Sequence, residues 1–551
     1  MNWLQFSKVL ATFLIAGNFV GHAYASNITT LPVVDLGYEI YQASSFNTTN
    51  DYYTFSNIRY AAPPVGDLRF AAPQPPSINR SSVQTGFPDR ICYQALPKWL
   101  RISPQFTARY LNGESEFNSS SFNASASQPD PRETEDCLFL DVSVPKAVLD
   151  ASKGYGAPVL VWIHGGGYTV GSKTDSGNPA GLIRISENST ESGVIFVSIN
   201  YRLGAFGFLP GPTVQANGTT NAGLYDQRMA LEWIQSNIAK FGGDPKRVTV
   251  MGESAGAGSI LHQVMAFGGK TAPFAQAIPQ SAAFYPMVSN RYKEGILSIF
   301  LNYANASSIQ DARSLPAAIL QAANLRQVEE SKYGLFTFGA EIDGSFIPGP
   351  PAELLQQGRF DKNVRLMIGH NADEGLLFTS PFLKNELDLQ QSVVNWLPTL
   401  KSAPETVDYL LNNLYRGENG TTGPRNYIDR MAKFIGDAYF ACNAFFLAKA
   451  YQDTSYAYQF SVPPALHGDD LRYTFYNGPS HLVSSPETAL KMQQYIINFA
   501  AHGHPNGPGL PTFGTFGNEG RTLVLNSTEV YEVFDKSMAE RCSWWEKGLY
   551  F

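Results

Sequence analysis

One serine of this sequence lies in a setting typical of a nucleophile, between two glycines in the order Gly252-x-Ser254-x-Gly256. The β-branched run shortly before it, residues 248–250, is typical of a buried strand, and the apolar spacing in residues 259–265 is typical of a helix packed on a sheet. A sharp strand-to-helix turn strains the serine backbone and projects its hydroxyl, while the flanking glycines avoid collisions. Because a glycine-rich chain can produce this pattern by chance, the remaining sequence must supply a base, an acid and an oxyanion hole.

The histidines downstream of Ser254 are His262, His370, His467, His481, His502 and His504. When the nucleophile is a serine at such a strand-to-helix turn, the acid comes later in the chain and the histidine base comes last. His467 lies in a loop after the strand-like residues 456–460, and sites in parallel sheets are built from such loops. His262 falls within the helix that follows the serine, and we expect its side chain to point away from the serine. We therefore predict His467 as the base, with His370 as its competitor.

The acid is expected between Ser254 and His467. A strand-like segment, residues 365–369, is followed by Asp373 and Glu374. Either carboxylate could orient the imidazole of the base. On the residues alone, both remain possible.

Three glycines directly after a second strand-like segment predict the oxyanion hole. Residues 157–163 are continuously apolar and run into His164 and then Gly165, Gly166 and Gly167. Without side chains in the way, the N–H groups of Gly166 and Gly167 can converge with that of Ala255 on the oxygen of a tetrahedral acyl intermediate. We expect His164 to pack under this loop as a structural residue.

Strands alternate with helices along the chain. Residues 194–202 resemble another buried strand, and residues 221–240 a helix with one apolar face. This alternation predicts an α/β fold with a large, mostly parallel central sheet and helices on both faces. We find no linker run, repeat or low-complexity block, so residues 26–551 are predicted to form a single catalytic domain.

The N-terminus has the three parts of a secretory signal peptide. An apolar run, residues 9–20, follows Lys8 and precedes the small-residue cleavage site Ala23-Tyr24-Ala25. Residues 1–25 are therefore the predicted signal peptide, and the run is too short to span a bilayer comfortably. No later run of eighteen apolar residues occurs, so we expect a secreted protein without a transmembrane anchor.

The composition fits a secreted globular protein. The net charge of −7 over 551 residues gives no basic footprint, which disfavours nucleic-acid binding. Sequons for N-linked glycans support export. They begin at Asn27, Asn47, Asn79, Asn118, Asn123, Asn188, Asn217, Asn305, Asn419 and Asn526.

Four cysteines in a secreted chain suggest two disulfides, and three pairings are possible. We favour Cys92–Cys137, which closes a loop, and Cys442–Cys542, which fixes the C-terminal segment. The first loop has an apolar part, residues 95–102, and a polar part that carries two sequons. Such a tethered loop is either a lid over an apolar pocket or a static excursion, and both interpretations remain.

Six motifs, in this order, make the sequence resemble the type-B carboxylesterase/lipase family, the α/β-hydrolases that include cholinesterases and secreted fungal lipases. The matching stretches are residues 58–70, 135–142, 164–167, 200–203, 241–245 and 252–256. The resemblance spans about residues 30 to 545 and agrees with both disulfide pairings.

The resemblance also implies roles for single residues. A His-Gly motif assigns the base to His467, and an Asp-Glu-Gly motif assigns the acid to Glu374. Glu253, Ser281 and Asp470 are implied to lie near the base and support it. The chain departs from the family pattern at residues 278–282, where a proline and an alanine put the local backbone in question.

The sequence therefore predicts a secreted serine carboxylic ester hydrolase with a Ser254–Glu374–His467 triad and an acyl-enzyme intermediate. It needs neither a cofactor nor a metal, and its expected partner is a small-molecule or lipid ester. One alternative is an interfacially activated lipase with the Cys92–Cys137 loop as its lid. A non-catalytic adhesion or binding protein is disfavoured, because that branch typically loses the serine.

Overall fold

The structure is a computed structural model that describes residues 31–125, 128–151, 156–175, 177–189, 193–284, 287, 289–416, 426–534 and 536–550. The predicted signal peptide and the sequons at Asn27 and Asn419 lie outside the described residues, as does the side chain of Asn188. Among the helices that are described, none combines the length and the apolar character needed to cross a bilayer.

Strands and α-helices alternate through much of the chain. The strands are β1 (Val33–Asp35), β2 (Ile40–Gln42), β3 (Ser45–Asn47), β4 (Tyr52–Arg59), β5 (Val83–Gln84), β6 (Phe139–Pro145), β7 (Ala157–Ile163), β8 (Ile195–Ile199), β9 (Gly243–Glu253), β10 (Gln276–Gln280), β11 (Arg365–Asn371), β12 (Ser455–Phe460), β13 (Arg521–Leu525) and β14 (Val530–Phe534). The α-helices are α1 (Lys98–Leu111), α2 (Lys146–Asp150), α3 (Ala180–Ser189), α4 (Gly204–Phe208), α5 (Pro212–Asn217), α6 (Ala222–Asn237), α7 (Ala255–Gly269), α8 (Asn290–Ala304), α9 (Ile309–Ser314), α10 (Ala317–Glu329), α11 (Pro351–Gln356), α12 (Glu386–Trp396), α13 (Pro404–Tyr409), α14 (Tyr427–Gly436), α15 (Cys442–Tyr451), α16 (Leu471–Thr474), α17 (Pro486–His502) and α18 (Lys536–Trp545).

The main sheet, within the described residues, has 11 strands in the order β14-β13-β12-β11-β10-β9-β7-β8-β6-β4-β3. Every pair from β13 across to β8 is parallel, and the pairs at both edges are antiparallel. The prediction of a large, mostly parallel sheet is confirmed. Because these neighbours are parallel, the loops after β7, β9, β11 and β12 leave the sheet at the same edge.

Both faces of the sheet are covered, as expected for continuous apolar strands. Successive side chains of a strand point to opposite faces, and in β7 Val159 and Val161 enter one core while Leu160 and Trp162 enter the other. Helix α7 packs against β9 and β10. Helix α17 packs against β7 and β9.

Strand β10 carries the local departure from the family pattern. Pro279 lies inside this central strand, opposite Gly252 of β9, while the register with β11 skips Ile278 and Pro279. The interruption follows from chemistry, since proline has no N–H to donate to a ladder. The strand ends at Gln280, and the next residue, Ser281, has a backbone φ of 58°.

Both favoured disulfides are present. Cys92 bonds to Cys137 at the base of the loop that carries α1, and Cys442 of α15 bonds to Cys542 of α18. The second bond joins the C-terminal helix to a helix that packs on β11 and β12. The C-terminal segment is thereby tied to the body of the sheet.

Candidate active site

Ser254 stands at the turn between β9 and α7 with φ 58° and ψ −122°, a conformation that L-residues rarely adopt. The glycines beside it are required by close approach to β7. A Cβ at position 252 would lie 2.6 Å from the carbonyl oxygen of Ile163, and one at position 256 would lie 2.1 Å from the same atom. The Gly-x-Ser-x-Gly pattern therefore reflects the packing of this turn on the neighbouring strand.

The strained turn is fixed by backbone hydrogen bonds. The N–H of Ser254 donates to Gln280 of β10 at 3.0 Å, and its carbonyl accepts from Gly258 at 2.8 Å and from Ala283 at 3.2 Å. The residue is 8% exposed and lines a pocket of about 920 Å³. No described side chain hydrogen-bonds its hydroxyl, which leaves that group open to the pocket.

Glu374 and His467 meet at the same edge of the sheet. They follow β11 and β12, which are neighbours, and Nδ1 of His467 lies 2.5 Å from Oε2 of Glu374. The other oxygen, Oε1, accepts from the backbone N–H of Asn371 at 2.6 Å and from the hydroxyl of Ser281 at 2.5 Å. Asp373, the alternative acid, is exposed, so tertiary structure brings Glu374 rather than Asp373 to the imidazole.

A second carboxylate lies on the other side of the imidazole. Oε1 of Glu253 is 3.1 Å from Nε2 of His467, and both side chains are buried. Burial alone lowers the pKa of His467, but the negative charges of Glu253 and Glu374 outweigh it and raise that pKa to about 9. Burial raises the pKa of Glu253, whereas the charge of the protonated His467 ring lowers it, so the carboxylate and the imidazolium stabilise each other's charged forms. Although burial disfavours its charge, the adjacent imidazole lowers the pKa of Glu374.

Asp470 stabilises the loop that carries His467 through hydrogen bonds to neighbouring side chains, and none of these hydrogen bonds goes to the imidazole ring. It accepts from the side-chain amides of Gln280 at 3.0 Å and Asn371 at 3.3 Å. The Asn371 amide also donates to the carbonyl of Leu466, next to His467, at 2.8 Å. Asp470 is fully buried, and this burial raises its pKa to about 7. Asn371 and Gln280, for which no sequence pattern predicted a role, thus link β10 and β11 to the loop that carries His467.

The glycine loop after β7 lies beside the serine. The N–H groups of Gly166, Gly167 and Ala255 have no acceptor among the described residues, while Gly167 and Ala255 line the pocket with Ser254. Gly167 has a φ of +60°, and a Cβ there would lie 2.4 Å from the ring of Phe336. These N–H groups are geometrically free to receive an anionic oxygen.

His164 lies under this loop, as the sequence suggested. Its ring is 1% exposed, stacks on Tyr201 at 4.4 Å, and places Nδ1 2.9 Å from the carbonyl oxygen of Gly165. Burial lowers the pKa of His164 to about 4. A neutral ring suits a packing role beneath the glycines. His370, the competitor for the base, is buried within β11 with Nδ1 3.1 Å from the carbonyl oxygen of Asn371.

The pocket in front of Ser254 has a volume of about 920 Å³ and a largely aromatic inner wall. The aromatic residues of that wall are Phe284, Phe336, Phe338, Phe378, Trp396, Tyr439 and Phe440. Phe378 and Phe440 also contact the ring of His467, at 4.9 and 4.5 Å between centroids. No sequence pattern indicated this wall, because its residues come from distant segments that share no local motif.

Helix α1, inside the Cys92–Cys137 loop, forms the outer support of the same wall. Trp99 is buried, and its Nε1 donates to the carbonyl of Leu335 at 2.7 Å. Its ring lies 5.3 Å from Phe336 and 5.8 Å from Phe378. The apolar part of the loop therefore packs behind the pocket wall.

A model of the carboxylesterase family matches residues 41–545. Among curated proteins, the chain is 40% identical to the carboxylesterase patB of Aspergillus clavatus over 541 residues, covering 94% of this chain and 96% of that protein. It is 33% identical to Lipase 1 of Geotrichum candidum, covering 86% of this chain and 87% of that protein.

Among solved structures, the fold is similar to the crystal structure of Aspergillus niger EstA. The TM-score is 0.79 at 27% identity, and the match covers 94% of this chain and 98% of that chain. The likeness therefore extends beyond the site to the whole sheet and the helices that cover it.

Proposed function

The chain belongs to the carboxylesterase family and is a carboxylic ester hydrolase, and we propose that it works through Ser254, His467 and Glu374 with an acyl-enzyme intermediate. The observation that carries this proposal is the 2.5 Å contact between Glu374 and His467, at the sheet edge where the strained turn exposes Ser254. A nucleophile, a base and an acid that orients the base are the three groups that serine acyl transfer requires.

In the proposed reaction, Nε2 of His467 takes the Ser254 proton as the hydroxyl attacks the ester carbonyl. The N–H groups of Gly166, Gly167 and Ala255 hold the oxyanion, and Glu374 stabilises the imidazolium. His467 then protonates the leaving alcohol, and a water molecule repeats the cycle on the acyl-enzyme. The hydrogen bond from Ser254 to Nε2 is expected to form in the substrate complex, since such bonds are often loose in unliganded enzymes.

The test is Ser254→Ala, with Ser402→Ala at the pocket rim as the matched control. Hydrolysis of short p-nitrophenyl esters should fall by on the order of a millionfold in kcat for the first and stay near the parent rate for the second. A fluorophosphonate should label the parent protein, and mass spectrometry should locate the label on Ser254. Parent-rate hydrolysis by Ser254→Ala would refute the mechanism.

The aromatic wall favours a small-molecule or lipid ester with an apolar part. The apolar surface of the pocket offers hydrophobic burial at about 25 cal/mol per Å². We expect kcat/KM to rise with acyl length until the pocket is filled. An activity profile over esters of graded acyl length measures this directly.

For the Cys92–Cys137 loop we propose a fixed wall rather than a moving lid. Its Trp99 is buried and hydrogen-bonded to Leu335, and Phe106 and Phe117 pack with Leu376. Exposing one such aromatic side chain costs up to about 3 kcal/mol. We therefore expect activity on an ester to rise smoothly through its solubility limit. An abrupt rise above that limit would instead favour the interfacially activated lipase.

We further propose that the protein is secreted, glycosylated and built as one catalytic domain from residue 26. The described sequon asparagines at positions 47, 79, 118, 123, 217, 305 and 526 are exposed or half-buried, as glycan acceptors must be. The single-domain proposal is supported by a main sheet whose strands come from residues 45 to 534. N-terminal sequencing of exported protein should begin at Ser26, and glycosidase treatment should lower its mass.

A further inference from the structure

His262 is a buried histidine in the pocket wall that the proposed reaction does not use. It lies in α7, is 1% exposed, and lines the same pocket as Ser254. Neither ring nitrogen has a hydrogen-bond partner among the described residues. An imidazole that lacks any partner in a dry interior costs about 1–3 kcal/mol per unsatisfied group, so its presence beside a cavity calls for a partner inside that cavity.

The surroundings of His262 show what kind of partner would fit. Its ring contacts Phe284 edge to face at 5.4 Å, and burial lowers the pKa of His262 to about 3. The ring is therefore neutral, with one nitrogen that donates and one that accepts. A neutral ring cannot compensate a buried carboxylate, whereas a hydroxyl satisfies either nitrogen because it both donates and accepts.

Two more polar groups in the same wall support this assignment. The hydroxyl of Tyr168 lies 3.4 Å from Oγ of Ser259, and Ser259 and His262 share one face of α7 at i and i+3 spacing. On α10, Gln327 lines the pocket, donates its amide to the carbonyl of Ile296 at 2.9 Å, and leaves its Oε1 without a partner. The wall of the pocket thus carries buried polar groups as well as aromatic rings.

We propose that His262 is a specificity-determining residue that hydrogen-bonds a hydroxyl group on the substrate, in addition to the ester that Ser254 attacks. His262 lies eight positions after Ser254, so about 12 Å of helix rise separates them. The substrate hydroxyl that His262 would bind is therefore remote from the ester bond that is cleaved. This inference rests on the proposed function and adds the substrate class: hydroxylated esters.

The test compares pairs of esters that differ only in one hydroxyl. One arm uses p-nitrophenyl esters with ω-hydroxy or unsubstituted acyl chains from butanoyl to decanoyl. The other uses a fixed acyl group with ω-hydroxy or unsubstituted alkyl alcohols. For the parent enzyme, the kcat/KM ratio of hydroxylated to plain ester should peak sharply at one chain length in one arm, by about threefold to tenfold over its neighbours. A flat profile in both arms would overturn the proposal without any variant.

Variants assign the effect to His262. His262→Phe should abolish the peak, while His262→Asn, which keeps a donor and an acceptor, should retain part of it. Phe338→Leu, at an apolar position of the same wall, should change both members of each pair alike. A peak that survives in His262→Phe overturns the inference. The plain esters are measured with every variant. If the inference about His262 fails but the parent enzyme hydrolyses the plain esters normally, the proposed function still stands.

Discussion

Glu253 Oε1 lies 3.1 Å from Nε2 of His467, the ring nitrogen opposite to the one that Glu374 holds. The imidazole is therefore placed between two buried carboxylates rather than against one. Both carboxylates stabilise the protonated ring, which accounts for the raised pKa of His467. In the proposed mechanism the same arrangement stabilises the imidazolium that forms during the attack.

This contact predicts the pH dependence of Glu253→Gln. The negative charge raises the pKa of His467, so its removal lowers that pKa. Because the base must be neutral, kcat/KM rises with pH through the pKa of His467, and the acidic limb of the profile should move to lower pH. In addition, kcat should fall by about tenfold to a hundredfold, because the imidazolium that forms loses one of its two carboxylate charges, and each unit of lost pKa stabilisation corresponds to about 1.4 kcal/mol.

The control for this prediction is Glu253→Asp, which keeps the charge on a shorter side chain. Its acidic limb should lie between those of the parent and of Glu253→Gln. Profiles of kcat/KM on one soluble ester measure all three. An unchanged limb, or one displaced to higher pH, would show that Glu253 does not act on His467.

The identity of the acid can be tested by paired substitutions. Glu374→Gln should lower kcat by about 10³–10⁴-fold, because the imidazole loses the group that orients it and stabilises its charge. Asp373→Asn should leave kcat within about threefold, since this exposed neighbour does not touch the ring. The measurement is steady-state kcat of the two variants and the parent on one soluble ester. A large loss in Asp373→Asn alone would reverse the assignment.

Gly167→Ala tests the oxyanion loop. The added Cβ would lie 2.4 Å from the Phe336 ring at a backbone φ of +60°, so the loop must shift. We expect kcat to fall by about 10²–10³-fold with little change in KM, as for loss of one oxyanion donor. Gly349→Ala is the matched control, because its Cβ would meet only Leu354 at 3.6 Å. Equal effects of the two substitutions would refute a specific role for this loop.

The two disulfides should differ in their effect on function. The Cys442–Cys542 bond has a sequence separation of 100 and the Cys92–Cys137 bond one of 45. Replacing either pair by serine should lower the free energy of unfolding by about 2–5 kcal/mol, measured by urea denaturation. Activity below the transition should persist without Cys442–Cys542. Loss of Cys92–Cys137 should lower kcat/KM, because that loop carries Trp99 behind the pocket wall.

Some residues and elements of the proposed site follow from local sequence alone. Ser254, the proposed nucleophile, could be identified from the sequence because its turn imposes local steric requirements that Gly252 and Gly256 satisfy. The parallel sheet was accessible because continuous apolar runs mark strands that are buried on both faces. The order of the motifs along the chain was sufficient to indicate the family.

Other features depended on the register of neighbouring strands. Asp373 and Glu374 are adjacent in sequence, and only the pairing of β11 with β12 brings one of them to His467. The approach of Glu253 to Nε2 of His467, and of Ser281 to Glu374, likewise joins residues at the ends of four strands, β9 to β12, which meet at one edge of the sheet.

The sequence by itself determined the α/β architecture and pointed to Ser254 as the proposed nucleophile and to the glycine loop as the proposed oxyanion hole, since these depend on local sterics and on hydrophobic periodicity. Tertiary structure alone decided which groups surround the imidazole, how Phe336 covers Gly167, and that His262 enters the pocket wall. Those contacts join segments far apart in the chain, and their distances follow from packing that no local pattern encodes.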